Sequence, residues 1–263
     1  SDAVTAFNSD GFSVGSGNDG NENNQTYVNW NWKANGSGSS NTDGDITSTV
    51  SANVDAGFSI VSYTGTDNDE TVGHGLSKAP EVVIVKRRNS SGNWASAWTP
   101  IASSSNQMYL NSTAAAESNN VNTFNATTFR VNGWSDVVVN GGTYIAYCFH
   151  SVDGYSKVGS YTGNGNADGA FVYTGFRPKF LLMKVTNTAS DWHIVDSARD
   201  VDNVIQNTID PNTSSAEGSG SNRFDFTSNG FKLRQTSGSY NGNGSTYIYI
   251  AFAETPFKYS NAR

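Results

Sequence analysis

One cysteine, Cys148, and five prolines are spread over 263 residues. A lone cysteine excludes a disulfide framework, CxxC redox chemistry and zinc knuckles together. Charge is scarce too: Asp, Glu, Lys and Arg make up 15% of the chain, against about a quarter in ordinary globular chains. The charge present leans acidic, net −7 with a pI near 4.8. No basic stripe is on offer, so no nucleic-acid partner is expected. The apolar runs inside EVVIVK (81–86) and KFLLMK (179–184) hold four residues each, and no unbroken apolar run exceeds seven. A membrane helix needs about 20, so no membrane insertion is expected. There are three histidines, His74, His150 and His193, none at HxH or HExxH spacing. No GxSxG, Walker-type or Rossmann fingerprint occurs. The sequence offers no catalytic, metal or cofactor constellation, and the chain is read as non-enzymatic. No signal peptide stands at the start as given, and Ser1 in place of a start methionine points to a processed or partial chain.

Gly, Asn and aromatics are what the chain has: 27 glycines, 32 asparagines and 12% aromatic residues. So many rings argue against a disordered polar chain. They also repeat. Tyr63-Thr64-Gly65 returns as Tyr161-Thr162-Gly163 after 98 residues, and Val82–Lys86 returns as Phe180–Lys184 at the same offset. Trp94 returns as Trp192. Phe124–Val131 (FNATTFRV) matches Phe226–Leu233 (FTSNGFKL) at offset 102, and Thr143-Tyr144-Ile145 matches Thr246-Tyr247-Ile248 at 103. A drift of five residues across such a span marks a true internal repeat.

A partial third copy opens the chain. Phe7–Val14 (FNSDGFSV) matches Phe124–Val131, and Thr26–Trp32 (TYVNWNW) matches Thr143–Phe149, both at offset 117. The chain therefore divides into a partial repeat holding only the closing half (1–34), a Gly/Ser/Thr/Asn linker (35–54), and two whole repeats (55–152 and 153–263). The closing segments alternate with period two: Val28, Trp30, Trp32; then Ile145, Tyr147, Phe149; then Ile248, Ile250, Phe252. This is a strand signal. The VVIVK and FLLMK runs lack alternation and read as central strands covered on both faces. Asn-Gly and Asp-Gly pairs supply the turns. One short helix-like stretch falls at Ser112–Ser118. The expected fold is all-β: tandem antiparallel β-sandwich repeats with a partial third copy at the N-terminus.

Among single residues, His74 between two glycines reads as a turn or strand-edge histidine, His193 as a packing histidine and His150 as an exposed strand end. Asp67–Glu70 and Asn164–Gly169 resemble calcium loops in composition but lack a ligand at the twelfth position. Trp94 and Trp192 share a repeat position and read as core. Trp98 and Trp134 have no aromatic counterpart and are the candidates for contact with a glycan or another subunit, packing or subunit contact being the stronger reading. Val28, Trp30 and Trp32 would show an apolar face without a core of its own, which marks them as an assembly interface.

The strings SYTG, VGHGL and APEVVIVKRR, then YIAYCFHSVDGYSKVGSYTGNGNADGAFVYTGFRPKFLLMK and YIYIAFAETPFKYSNAR, resemble marine bacteriophage structural proteins of the tail-fibre-like kind over residues 5–263. The resemblance carries no catalytic or binding motif. It implies an extracellular virion surface protein, a tail-fibre-like module acting in host attachment. Its implied partners are copies of itself, with a trimer favoured, other virion proteins, and a host surface glycan. The alternative is an architectural subunit: a capsid decoration, a tail-shaft element or a bacterial surface filament. A polysaccharide depolymerase is more remote.

Overall fold

Short β-branched and aromatic runs punctuated by Gly and Asn cannot build helices of useful length, but they suit strands joined by tight turns. The computed structural model describes residues 3–101, 107–117, 123–132 and 135–255. It is all-β apart from one helical turn, α1 (Asn18–Asn21). The described chain divides into two units, at Lys33 and Ala34.

The first unit holds an antiparallel hairpin of β1 (Val4–Phe7) and β2 (Phe12–Val14), in which Phe7 faces Phe12. Residues 22–33 carry no strand. The expected closing strand over 26–32 is therefore absent, although the alternation survives: Val28, Trp30 and Trp32 are half-buried while Tyr27, Asn29 and Asn31 are exposed.

In the second unit, β3 (Ser39–Asn41), β4 (Ser48–Asn53), β5 (Phe58–Thr64), β7 (Val82–Arg87), β8 (Trp94–Trp98), β9 (Gln107–Tyr109) and β11 (Thr143–Phe149) form one sheet. Its order is β3-β4-β5-β11-β7-β8-β9. A smaller pair, β6 (Glu70–Gly73) with β10 (Thr128–Val131), lies over it. Val61, Tyr63, Val83, Val85, Tyr144, Ala146 and Cys148 from the large sheet share a buried core with Val72, Phe129 and Val131 from the pair. The second half has a related arrangement with fewer strands in its larger sheet. There β12 (Ser156–Thr162), β14 (Pro178–Val185), β15 (His193–Asp196) and β18 (Thr246–Ala253) take the order β12-β18-β14-β15. A smaller sheet of β13 (Phe171–Tyr173), β16 (Phe224–Thr227) and β17 (Gly230–Leu233) covers it in the order β13-β17-β16.

The orders β5-β11-β7-β8 and β12-β18-β14-β15 correspond strand for strand, and so does the register. Tyr144 lies opposite Tyr63 and Arg87, while Tyr247 lies opposite Tyr161 and Val185. Tyr63 and Tyr144 stack at 5.1 Å, and Tyr161 and Tyr247 at 4.7 Å. Each hydroxyl donates to an equivalent carbonyl: Tyr63 to Val137 and Tyr161 to Tyr240, both at 2.7 Å; Tyr144 to Ser135 at 2.9 Å and Tyr247 to Gly238 at 2.6 Å. A buried phenol needs such an acceptor. Asn111 brackets Trp94 by accepting its backbone N–H and donating to Asn93; Asn212 does the same between Trp192 and Asp191.

The Ile/Tyr/Phe face of β11 is not the face that fills its own sandwich. Tyr144, Ala146 and Cys148 point into that core, and the opposite faces of the two large sheets meet. Phe149 contacts Phe252 at 6.2 Å and Trp98 contacts Trp192 at 5.6 Å. The Trp192 indole N–H donates to the Tyr109 carbonyl at 2.9 Å. Lys184, fully buried, donates to the carbonyls of Ser190 and Thr113 and lies 5.9 Å from the Trp192 ring. Its counterpart Lys86 bonds the Gly92 carbonyl at the surface.

Three expectations are corrected. The 35–54 segment is not merely a linker, because it supplies β3 and β4; Ser48 and Val50 are buried there, and β4 pairs with β5. Residues 112–116 carry no helix, and Ser118 lies outside the described residues: Thr113 accepts from the Ser190 N–H and Ala116 donates to Thr186, which spends backbone groups on the second half. His150 is buried (4% exposed), with its ring under Gly57. Gly57 sits at φ +62, and a Cβ there would stand 2.8 Å from the imidazole.

Candidate functional site

Two surfaces carry the candidate residues. The first lies on β8 and β11. In Trp94-Ala95-Ser96-Ala97-Trp98 both tryptophans point to the same face, since side chains alternate along a strand. Their surroundings differ. Trp98 is 1% exposed, its indole N–H donating to Ser96, and it is spent on the contact with Trp192. That burial removes Trp98 from the reach of any external glycan. Trp94, the residue read as core, is 37% exposed and stacks on Tyr147 at 6.4 Å with an 18° tilt. Lys86 lies beside it in register. Asn93, fixed by the Asp136 carboxylate, and Asn111 hold the backbone at Trp94. The result is a flat aromatic platform edged by amides and a cation, suited to stacking against the apolar face of a sugar ring. Trp134, the other glycan candidate, lies outside the described residues.

The second surface belongs to the N-terminal unit. Phe7, Phe12, Trp30 and Trp32, with Asp10 and Lys33, line an open cleft of about 700 Å³. Trp30 and Trp32 are half-buried. The hairpin is not: Phe7 is 87% exposed and Val14 40% exposed.

The histidines are engaged structurally. His74 is fully buried; its Nδ1 accepts from the Leu76 N–H and its Nε2 faces the Asn125 carbonyl at 3.2 Å. Burial holds the imidazoles of His74 and His150 below the usual histidine range. His193 belongs to a cluster that sequence spacing did not reveal. Its Nδ1 lies 2.7 Å from the Asp210 carboxylate and 3.2 Å from the Tyr240 hydroxyl, to which the Arg223 guanidinium donates. The four residues are 13 to 47 positions apart and meet only through the fold. An Asp–His pair is half of a nucleophile-activating arrangement, but here the other ring nitrogen is buried with no hydrogen-bond partner. No hydroxyl or thiol nucleophile is bonded to it among the described residues. The acidic loops serve as ion-pair partners: Asp69 to Arg130, and Asp168 to Lys232 at 2.7 Å. Among the described residues no three His, Cys, Asp or Glu side chains group as a metal site.

No curated protein and no solved structure matches the chain. A family model described as a domain of unknown function, DUF7483, matches residues 1–256, so the match takes in the N-terminal unit together with both halves of the second. Over nearly its whole length the chain belongs to the DUF7483 family.

Proposed function

We propose that this chain is a non-enzymatic, fibre-like module of a virion surface that acts in host attachment. The observation that carries the reading is that the two halves share a four-strand order and its register, and that a hairpin of similar sequence precedes them. We read the halves as duplicated modules. Repetition of a self-contained β module is how an elongated, quasi-one-dimensional structure is built. An acidic, Asn-, Ser- and Gly-rich surface suits an extracellular setting, and the resemblance to marine phage structural proteins supplies the virion. Fibres are symmetric assemblies, and a homotrimer is the state proposed. Antibody raised against the chain should label tails or fibres of the particles by electron microscopy. Particles free of label would refute the virion assignment.

The exposed Trp94–Tyr147 stack favours a glycan as the attachment ligand. Host surface polysaccharide should bind the chain, and Trp94→Ala should abolish binding while leaving the melting transition in place. Equal binding by W94A would remove this site.

A further inference from the structure

Arg130, Arg177, Arg199, Lys232 and Arg234 are each ion-paired with a carboxylate. Lys86, Arg87 and Arg88 have no carboxylate within ion-pair reach among the described residues. Arg87 donates to the Asn89 side chain, and Lys86 to the Gly92 carbonyl at 3.1 Å. The Arg88 guanidinium is exposed and makes no hydrogen bond to a described residue. Its fork of donors is therefore open to an external anion. Lys86 is in register with Trp94 on one side and with Ile145 on the other. Side chains two positions apart share a strand face, so Tyr147 joins Lys86 and Trp94, on whose ring it stacks. The Arg88 N–H donates to the Thr143 carbonyl at 2.7 Å, which continues the pairing of β7 with β11 and turns Arg88 to the face of Lys86. Burial raises the Tyr147 hydroxyl above its usual range, and the Arg88 guanidinium pulls it back, so this cation lies within electrostatic reach of the platform. In the second half the same position is covered. Lys184 and Trp192, the counterparts of Lys86 and Trp94, are fully buried, with the ammonium 5.9 Å from the ring. There Ile250 stands in place of Tyr147 and Thr186 in place of Arg88. The phenol and the guanidinium occur only in the half where the position is open to solvent.

From this we infer that the Trp94–Tyr147 platform takes a negatively charged sugar, the apolar face of its ring on the aromatic side chains and its anionic group on Arg88 and Lys86. The inference rests on the glycan reading of this platform and adds the class of glycan. Asp136, the carboxylate held at Asn93, accepts from both the backbone N–H and the side-chain amide of that residue and is only 9% exposed. The accessible charge at the platform is thus positive. The chain as a whole is at net −7, so a polyanion meets no general attraction. A preference for an anionic sugar has to come from this place.

Short oligogalacturonates and their methyl esters share one backbone and differ in charge alone. Titrated into the full chain at low salt, the acid form should bind ~5-fold or more tightly than the ester. The double variant Lys86→Gln, Arg88→Gln should lose that preference and keep the affinity for the ester, with its melting transition in place. Lys78→Gln, an exposed cation before the opposite end of β7, should leave both affinities unchanged. Trp94→Ala should lose both. A sulfated and an unsulfated galactan oligosaccharide, compared in the same way, separate sulfate from carboxylate as the anion, and a preference for either charged form upholds the inference. Equal affinity for charged and neutral forms in both pairs, lost in W94A, leaves the glycan platform standing and overturns the inference. No binding of any of these sugars overturns the glycan reading and the inference together. A single-stranded oligothymidylate bound as tightly as the best sugar would make the platform a general polyanion site and would also overturn it.

Discussion

Aromatic side chains of like sequence context have unlike fates here. Phe226 is fully buried in the second core, whereas Phe7, its match in sequence, is 87% exposed. Phe226→Ala should lower unfolding stability by roughly 3–5 kcal/mol, and Phe7→Ala should change it by less than about 0.5 kcal/mol. Comparable losses in urea titrations of the two variants would mean that the hairpin is covered as the complete modules are. Lys184 supplies a second residue-level test. Burial pushes its ammonium down to about 8, against about 10.4 for a free lysine. Between those values the unfolded chain binds a proton that the folded chain does not, so this group makes stability rise with pH across that window. The buried tyrosines, held above their usual range, act in the opposite sense at higher pH, and they are common to wild type and Lys184→Met. The stability of wild type relative to K184M should therefore climb from about pH 8 to about pH 10; a flat difference contradicts the burial. Little of this was legible in sequence. Trp94 and Trp98 lie on the same strand face, and only the position of the other half decides which of them is buried.

Strands were the most legible elements. The Val82–Val85 and Phe180–Met183 runs are inner strands, and 143–149 and 246–252 are strands too, although burial alternates only in the first and Tyr247–Phe252 are all buried. What alternation could not convey is which face fills the module, because both faces of these strands are covered in part: one by the small sheet, the other by the neighbouring half. Low hydrophobicity hid β3 and β4, which pair at the edge of the sheet where small polar residues suffice. The Ala-rich 112–116 segment looked helical, but long-range hydrogen bonds to Thr186 and Ser190 override local propensity. Two glycines of the Tyr-Thr-Gly repeat test the equivalence of the halves. A Cβ on Gly65 would stand 2.5 Å from the Val139 carbonyl oxygen, and one on Gly163 would stand 2.3 Å from that of Gly242. Gly65→Ala and Gly163→Ala should each cost about 1–3 kcal/mol in thermal or chemical unfolding. A neutral effect at one site and a large one at the other would break the correspondence.

At the scale of the whole molecule, the repeat organises the chain while the halves of the second unit depend on each other through Trp98, Trp192, Phe149, Phe252 and Lys184. The repeat offsets were readable directly from identities. The back-to-back contact of the large sheets was not readable, since it joins residues such as Tyr109 and Trp192, 83 positions apart. The central claim is that 143–149 and 246–252, two segments of kindred sequence, are inner strands at corresponding positions of their sheets, while 26–32, a third segment similar in sequence, carries no strand. Native-state hydrogen exchange resolved by segment tests it in one experiment. Residues 143–149 and 246–252 should be among the slowest to exchange, and 26–32 should exchange faster by ~100-fold or more. Equal slow exchange in all three segments would show that the N-terminal strand is already paired, and would contradict the claim.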